Sequence, residues 1–128
     1  MKNIYNLVDD IYKVVSTKEV DEGVDIDAAI EQFGENVKDL MRQEFGEQKK
    51  RDNRTLRMSN IGREDRYLWN LFNEVEPSEV IPPHTYVKFL YGHLIEELML
   101  FLTRAAGHEV TDEQKQCEVN GIKGHMDC

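Results

Sequence analysis

Two adjacent glutamates, Glu96 and Glu97, lie within an apolar stretch, and two further carboxylates, Glu118 and Asp127, flank an Asn-Gly pair near the C-terminus. A carboxylate among apolar neighbours is costly to bury unless it has a partner. Carboxylates that converge from a helix and a strand can hold Mg²⁺, which takes one or two of them and keeps several waters. Such an ion activates water and neutralises charge while a phosphodiester is cut. The alternative is that Glu96 or Glu97 lies on a polar edge of its helix.

A basic block interrupts an otherwise acidic chain. The net charge is −9, yet residues 48–68 carry seven bases and three acids, whereas residues 1–47 carry 12 acids and five bases. The block is typical of phosphate contacts with salt-dependent affinity. The alternative is a solvated loop that balances the acidic helices. The candidate phosphate-binding residues are Lys49, Lys50, Arg51, Arg54, Arg57, Ser59, Arg63 and Arg66.

Length and composition restrict the class of protein. The chain has 128 residues, the size of one domain, and 40% of them are hydrophobic. Its apolar runs fall short of the ~20 residues that a membrane span needs, so we expect no membrane partner. The start of the sequence does not resemble a signal peptide, and we expect a cytoplasmic product. Two cysteines, Cys117 and Cys128, exclude a disulfide framework.

Apolar periodicity predicts four helices. Asp25 or Asp27 can cap the second, Ser59 or Asn60 can cap the third, and Gly107 suits the end of the fourth. The fourth is apolar over more than half of its circumference, so we expect it to be central and the most buried. Between the second and third, residues 48–58 are expected to form a basic loop or a frayed helix end. The predicted helices span residues 3–18, 27–47, 63–73 and 85–106.

The last 20 residues change character. Alternating runs on either side of Asn120-Gly121 predict a β-hairpin. The expected fold class is therefore α+β, with about four helices followed by a hairpin. The sequence ends within the second predicted strand, and a lone hairpin is only marginally stable. We therefore expect this sheet to be the start of a larger one.

Three stretches carry a family resemblance. Residues 56–69 are similar to a Ser-x-x-Gly…Arg-x-x-Trp segment, and residues 89–97 look like a helix motif Gly-x-x-x-Glu whose last position is Glu96. Residues 107–127 look like a strand motif Gly-x-x-Asp that ends at Asp127. Together they resemble phage-encoded exonucleases of the PD-(D/E)XK superfamily, which includes RecB-type nuclease domains.

The resemblance implies metal-dependent hydrolysis of DNA phosphodiesters from an end, in phage recombination or host-DNA breakdown. It assigns Mg²⁺ or Mn²⁺ to Glu96 and Asp127, and the cytoplasm of an infected cell as the location. The family's next strand carries an acid-x-Lys motif, and this sequence ends before it. Lys123 is a candidate stand-in, because it lies four residues from Asp127 on the same strand face. A truncated product, a fragment or half of a split enzyme completed by a second polypeptide is therefore expected.

Two other functions are compatible with the sequence. One is a non-catalytic module that binds DNA or a protein, which the missing acid-x-Lys motif favours. The other is an acidic inhibitor that mimics DNA, which the net charge favours and the basic block opposes. The expected organisation is an acidic helical pair over residues 1–48, followed by the basic segment, the central helix and an incomplete nuclease core over residues 49–128, together as one structural unit.

Overall fold

A computed structural model describes residues 2–46, 55–75 and 80–126. Within these ranges, four α-helices are followed by a two-stranded antiparallel hairpin, so the predicted α+β class is confirmed. No helix in the described ranges is both long enough and apolar enough to cross a membrane. The elements are α1 (Leu7–Thr17), α2 (Ile26–Phe45), α3 (Asp65–Phe72), α4 (Pro83–Ala105), β1 (Lys115–Val119) and β2 (Ile122–Met126), with 3₁₀ turns at Ile4–Asn6 and Met58–Asn60.

The chain divides into two compact units. The first, here called the helical unit, comprises residues 1–48 and 82–110. The second, the sheet unit, comprises residues 49–81 and 111–128. The helical unit therefore contains α1, α2 and α4, and the sheet unit contains α3, β1 and β2. The expected domain boundary at residue 48 stays a prediction.

The ends of the helices in the helical unit follow from local chemistry. The Asp25 side chain accepts a hydrogen bond from the backbone N–H of Ala28 at 3.0 Å and so caps α2, as the sequence predicts. Proline is well suited to the first position of a helix, and α4 begins at Pro83. After α4 the chain turns at Gly107, whose φ is +78°. This left-handed conformation ends the helix at the predicted residue.

Helix α4 contacts both α1 and α2, so it is central within the helical unit, as predicted. Against α2, the rings of Phe33 and Phe101 lie 5.5 Å apart between centroids. Ala105 is the only buried residue of α4, and α1 and α2 each have one as well, so the expectation that α4 is the most buried helix stays a prediction. Helices α1 and α2 do not cover all the apolar side chains of α4, and several of these side chains are exposed, including Val87 and Tyr91.

The sheet unit is built on a tight hairpin. Strands β1 and β2 pair in a register that runs from Lys115 opposite Met126 to Val119 opposite Ile122. Asn120 and Gly121 have φ values of +52° and +78°. Positive φ at both central residues identifies a type I′ turn, whose twist matches that of the strands. The predicted hairpin and its Asn-Gly turn are therefore confirmed.

The segment expected to be a basic loop or a frayed helix end, residues 48–58, is described from residue 55, and residues 48–54 lie outside the described residues. Its described part is a loop that makes one β-bridge to the sheet. Arg57 forms a parallel β-bridge with Lys123, and the backbone N–H of Lys123 donates to the Leu56 carbonyl at 3.3 Å. The backbone of residues 56–57 therefore lies along the edge of β2 that faces away from β1. A single bridge carries no apolar periodicity, which explains why the sequence pattern does not predict it.

The prediction that Ser59 or Asn60 caps α3 is wrong. Ser59 and Asn60 lie in a separate 3₁₀ turn, and Glu64 occupies the N-cap position without a side-chain hydrogen bond. Gly62, with φ of +81°, separates that turn from the helix. The turn therefore ends before α3 begins, and its polar side chains are too early in sequence to reach the first turn of the helix.

Candidate functional site

The small sheet has one polar and one partly apolar face, because side chains alternate along each strand. Residues paired across strands project from the same face, so the parallel bridge places Arg57 beside Lys123. The register places Glu118 on the other side of Lys123. The polar face, defined by exposed side chains on all three segments, consists of Arg57, Gln116, Glu118, Lys123 and His125.

Packing on the opposite face holds Arg57 in this position. The Met58 sulfur lies 3.7 Å from the Cys117 sulfur. A β-carbon added at Gly124 would lie 2.7 Å from the Met58 sulfur, which is closer than real side chains approach. Glycine at this position therefore allows Met58 to lie over the strand. Because Met58 is the neighbour of Arg57, this contact fixes the cation beside Lys123.

The polar face has a distinct electrostatic character. Arg57 and Lys123 are adjacent cations on neighbouring strands, which lie about 4.8 Å apart in a sheet. Like charges at this spacing destabilise a sheet. No described residue forms a salt bridge with either cation. A phosphate oxygen placed between them would relieve the repulsion and accept hydrogen bonds from both side chains.

Helix α3 carries one of the predicted phosphate-binding arginines, Arg66, together with aromatic side chains, and Arg63 lies two residues before the helix begins. Arg63 and Arg66 are exposed, and the guanidinium carbon of Arg63 lies 5.6 Å from the centre of the Tyr67 ring. This distance suits a cation–π contact. Tyr67 and Trp69 are 48% and 62% exposed.

Trp69 is exposed, although a tryptophan on one helix with Tyr67 and Phe72 would most simply be expected in the core. Leu68, Leu71 and Phe72 are the partly buried side chains of α3. At 100° per residue, Trp69 lies about 100° from the centre of the face that those three define. The helical spacing of the apolar residues therefore indicates that Trp69 lies away from the partly buried face. The usual burial of tryptophan suggests the opposite.

The other predicted phosphate-binding residues divide into two groups. Ser59 is exposed in the 3₁₀ turn that follows Arg57. The remaining four, Lys49, Lys50, Arg51 and Arg54, lie outside the described residues. The structure therefore describes four of the eight predicted positions, all in the sheet unit and all exposed.

The structure describes one of the two predicted metal ligands. Glu96 lies on α4 with 38% of its side chain exposed, and one of its carboxylate oxygens is 3.9 Å from the His93 Nδ1 atom one turn earlier. Asp127 lies outside the described residues. Glu97 accepts a hydrogen bond from the Asn36 side chain at 2.8 Å and so ties α4 to α2. Where the chain is described, no group of three or more histidine, cysteine, aspartate and glutamate side chains is arranged to hold a metal ion.

Sequence reasoning missed a polar cluster in the helical unit. The Lys2 ammonium donates to the Ala106 carbonyl at 2.6 Å and forms a 2.8 Å ion pair with Asp21. His108 Nε2 lies 2.9 Å from an Asp10 carboxylate oxygen, and the His108 side chain is only 7% exposed. These five residues, here called the clamp, join the N-terminus, α1, the loop after α1 and the end of α4.

Protonation within the clamp is shifted by its hydrogen bonds. The hydrogen bond from Lys2, with a second from the backbone N–H of Gly23, holds the pKa of Asp21 below its ordinary range. The same contact raises the pKa of Lys2, against a smaller effect of burial. Both shifts favour the charged forms that attract one another. The clamp residues are up to 106 positions apart in sequence, so no local sequence motif predicts their contacts.

An open pocket of about 370 Å³ adjoins the clamp, with Lys2, Asp10 and Asp21 in its lining beside Lys13 and Glu19. Side chains of both charges line this pocket, and Lys2, Asp10 and Asp21 already have ionic partners within the clamp. The polar face and α3 are therefore the better candidate site. Comparisons with protein-family models, with curated proteins and with solved structures found no match to this chain, so a functional assignment rests on the residues themselves.

Proposed function

We propose that this chain is part of a metal-dependent DNA nuclease, which contacts the DNA backbone through the polar face of the sheet unit. The observation that carries the proposal is the side-by-side placement of Arg57 and Lys123. No described residue forms a salt bridge with either cation, although Glu118 lies opposite Lys123 in the register. Phosphate groups are the ligands that such paired cations favour. The resemblance to phage exonucleases supports hydrolysis as the reaction, in the cytoplasm of an infected cell.

Roles in the reaction follow from the resemblance. Glu96 and Asp127 would hold Mg²⁺ or Mn²⁺, since carboxylate oxygens are the donors that these ions prefer. Of the two, the structure describes Glu96, whose half-exposed carboxylate offers one such donor. When bound, the ion would activate water and neutralise the developing charge. Lys123 would contact the phosphate, and a strand with the family's acid-x-Lys motif, on this or on a second polypeptide, would complete the site.

Backbone contact is tested by DNA binding. Fluorescence anisotropy of a labelled blunt duplex is measured over a range of salt concentrations, for the parent chain and for the double variant Arg57→Gln/Lys123→Gln. Each lost phosphate contact should reduce the slope of log affinity against log salt by roughly one. Lys115→Gln is the matched control, because Lys115 is an exposed cation on the opposite face of the same sheet. Equal weakening by both changes would reject the polar face as the contact surface.

Hydrolysis is tested separately on linear DNA with Mg²⁺, with Mn²⁺ and with a chelator. Metal-dependent cutting that Glu96→Ala and Asp127→Ala abolish would support the proposed ligands. Binding without cutting, by the folded chain, would favour the non-catalytic module or require the second polypeptide. An absence of DNA binding would reject the proposal and leave the DNA-mimic inhibitor, whose test is capture of a DNA-binding protein.

A further inference from the structure

The exposed face of α3 combines two chemistries that nucleotides recognise. Trp69 and Tyr67 border an arc of the helix surface that contains Arg66, with Arg63 against the Tyr67 ring. On a helical projection at 100° per residue, Asp65 falls just outside this arc, one turn before Trp69. The arc therefore presents two aromatic rings and Arg66, and the Arg63 guanidinium beside the Tyr67 ring adds a second cation.

A tryptophan with more than half of its surface in water is unusual in a folded unit. Large apolar side chains that remain exposed beside polar groups mark interaction sites. The two arginines complement a polyanion, and the aromatic rings complement flat apolar surfaces. Nucleotides combine a phosphate with a base, and proteins that bind single strands pair a basic groove with aromatic stacking platforms.

We propose that this face of α3 binds unpaired nucleotides, with a base stacked on Trp69 and with Arg63 and Arg66 on the flanking phosphates. The inference rests on the proposed function and specifies its substrate as a DNA end that carries single-stranded nucleotides. Bases within a duplex have both faces covered by their neighbours, so apart from the terminal base pairs only unpaired nucleotides offer an open face to Trp69. The polar face would hold the backbone of the DNA, and α3 would select the single-stranded part.

The sequence provides a direct probe, because Trp69 is the only tryptophan in the chain. Its fluorescence is titrated with a 12-nucleotide oligothymidine and, in parallel, with a blunt duplex of equal phosphate content. Stacking on the indole predicts saturable quenching by the single strand and little change with the duplex. Equal quenching by both, or no quenching at saturating single strand, would overturn the inference.

Affinity is then compared for Trp69→Ala, Trp69→Phe and Tyr91→Ala by anisotropy with labelled oligothymidine. Loss of one stacked base should weaken binding by about 10-fold for Trp69→Ala, and Trp69→Phe should recover most of that loss. Tyr91 is a matched control, since it is an exposed aromatic residue on α4 in the helical unit. An unchanged affinity in Trp69→Ala would overturn the inference, and so would an equal loss in Tyr91→Ala. Far-UV circular dichroism verifies the fold, and Trp69→Phe remains a test if Trp69→Ala does not fold.

The two proposals fail differently. If duplex binding depends on Arg57 and Lys123 while Trp69 changes leave single-strand binding intact, the stacking site is rejected and the proposed function stands. If neither DNA form binds, both are rejected. If Trp69→Ala weakens only single-strand binding and Arg57→Gln/Lys123→Gln weakens duplex binding, both are supported.

Discussion

The helical unit and the sheet unit use their charged side chains in opposite ways. In the clamp, Lys2, Asp10, Asp21 and His108 are joined by hydrogen bonds and ion pairs within the protein. On the polar face, adjacent cations project into solvent without a described ionic partner. Charges with partners inside the protein contribute to folding. Adjacent like charges cost stability, and a bound ligand of opposite charge offsets that cost. The comparison predicts that clamp substitutions affect stability and that polar-face substitutions affect binding.

The largest expected loss of stability is at Gly107, and a comparison with Gly121 separates the cost of a close contact from the cost of backbone conformation. Gly107 and Gly121 share a φ of +78°, but a β-carbon at Gly107 would lie 2.8 Å from the Asp21 side chain, whereas the space around Gly121 is open. Gly107→Ala should lower the free energy of unfolding by about 3 kcal/mol, from backbone strain and the displacement of Asp21. Gly121→Ala should cost about 1 kcal/mol from strain alone. Urea denaturation followed by circular dichroism measures both, and equal losses would show that the clamp contact contributes nothing.

A pair of histidines sharpens the comparison. His108 is nearly buried against Asp10, and His125 is exposed on the polar face. His108→Ala should lower the free energy of unfolding by about 2 kcal/mol, because it leaves a cavity and deprives Asp10 of its hydrogen-bond donor. His125→Ala should change it by less than about 0.5 kcal/mol. Thermal or urea unfolding measures both changes. A larger loss of stability in His125→Ala than in His108→Ala would contradict the structural role assigned to the clamp.

The clamp should also be visible in the pH dependence of stability. The folded-state pKa of Asp21 is lowered, so its contribution is present above the ordinary aspartate range and is lost as the pH falls through the folded value. Lys2 has a raised pKa, and its contribution is lost as the pH rises above the ordinary lysine range. Asp21→Asn should therefore flatten both the acid and the alkaline decline in stability. Parallel pH profiles for the variant and the parent would show that the ion pair carries no stability.

The smallest effect is expected on the outer surface of α2. Arg42 forms an ion pair with Asp39, three residues earlier, and both side chains are more than 60% exposed. Surface pairs of this kind contribute little, because water screens them and the long side chains lose rotational freedom. Arg42→Gln should lower the free energy of unfolding by less than about 0.5 kcal/mol. A loss comparable to that of His108→Ala would mean that internal pairing does not distinguish the clamp from ordinary surface charge.

Sequence periodicity was sufficient for the order of elements, since short-range patterns determine helices and a type I′ turn. The Asp25 cap, the Gly107 terminus and the Asn120-Gly121 turn are all local signals. The clamp and the Arg57–Lys123 bridge join residues that are distant in sequence, so no window of residues contains them. For the site, Arg66 on α3 and Arg63 just before it are exposed, and their roles, like those of Glu96 and Asp127, stay predictions.

The clamp also has a consequence for the nascent chain. Lys2 is synthesised 104 residues before its partner carbonyl at Ala106. Both α1 and α2 have α4 as a packing partner, and residues 49–81 are translated in between. At about 5–20 residues per second, the ribosome needs on the order of ten seconds to produce α4 after α1. During this interval the apolar stripes of α1 and α2 lack their partner helix, so the N-terminal half is the segment that a holding chaperone would meet.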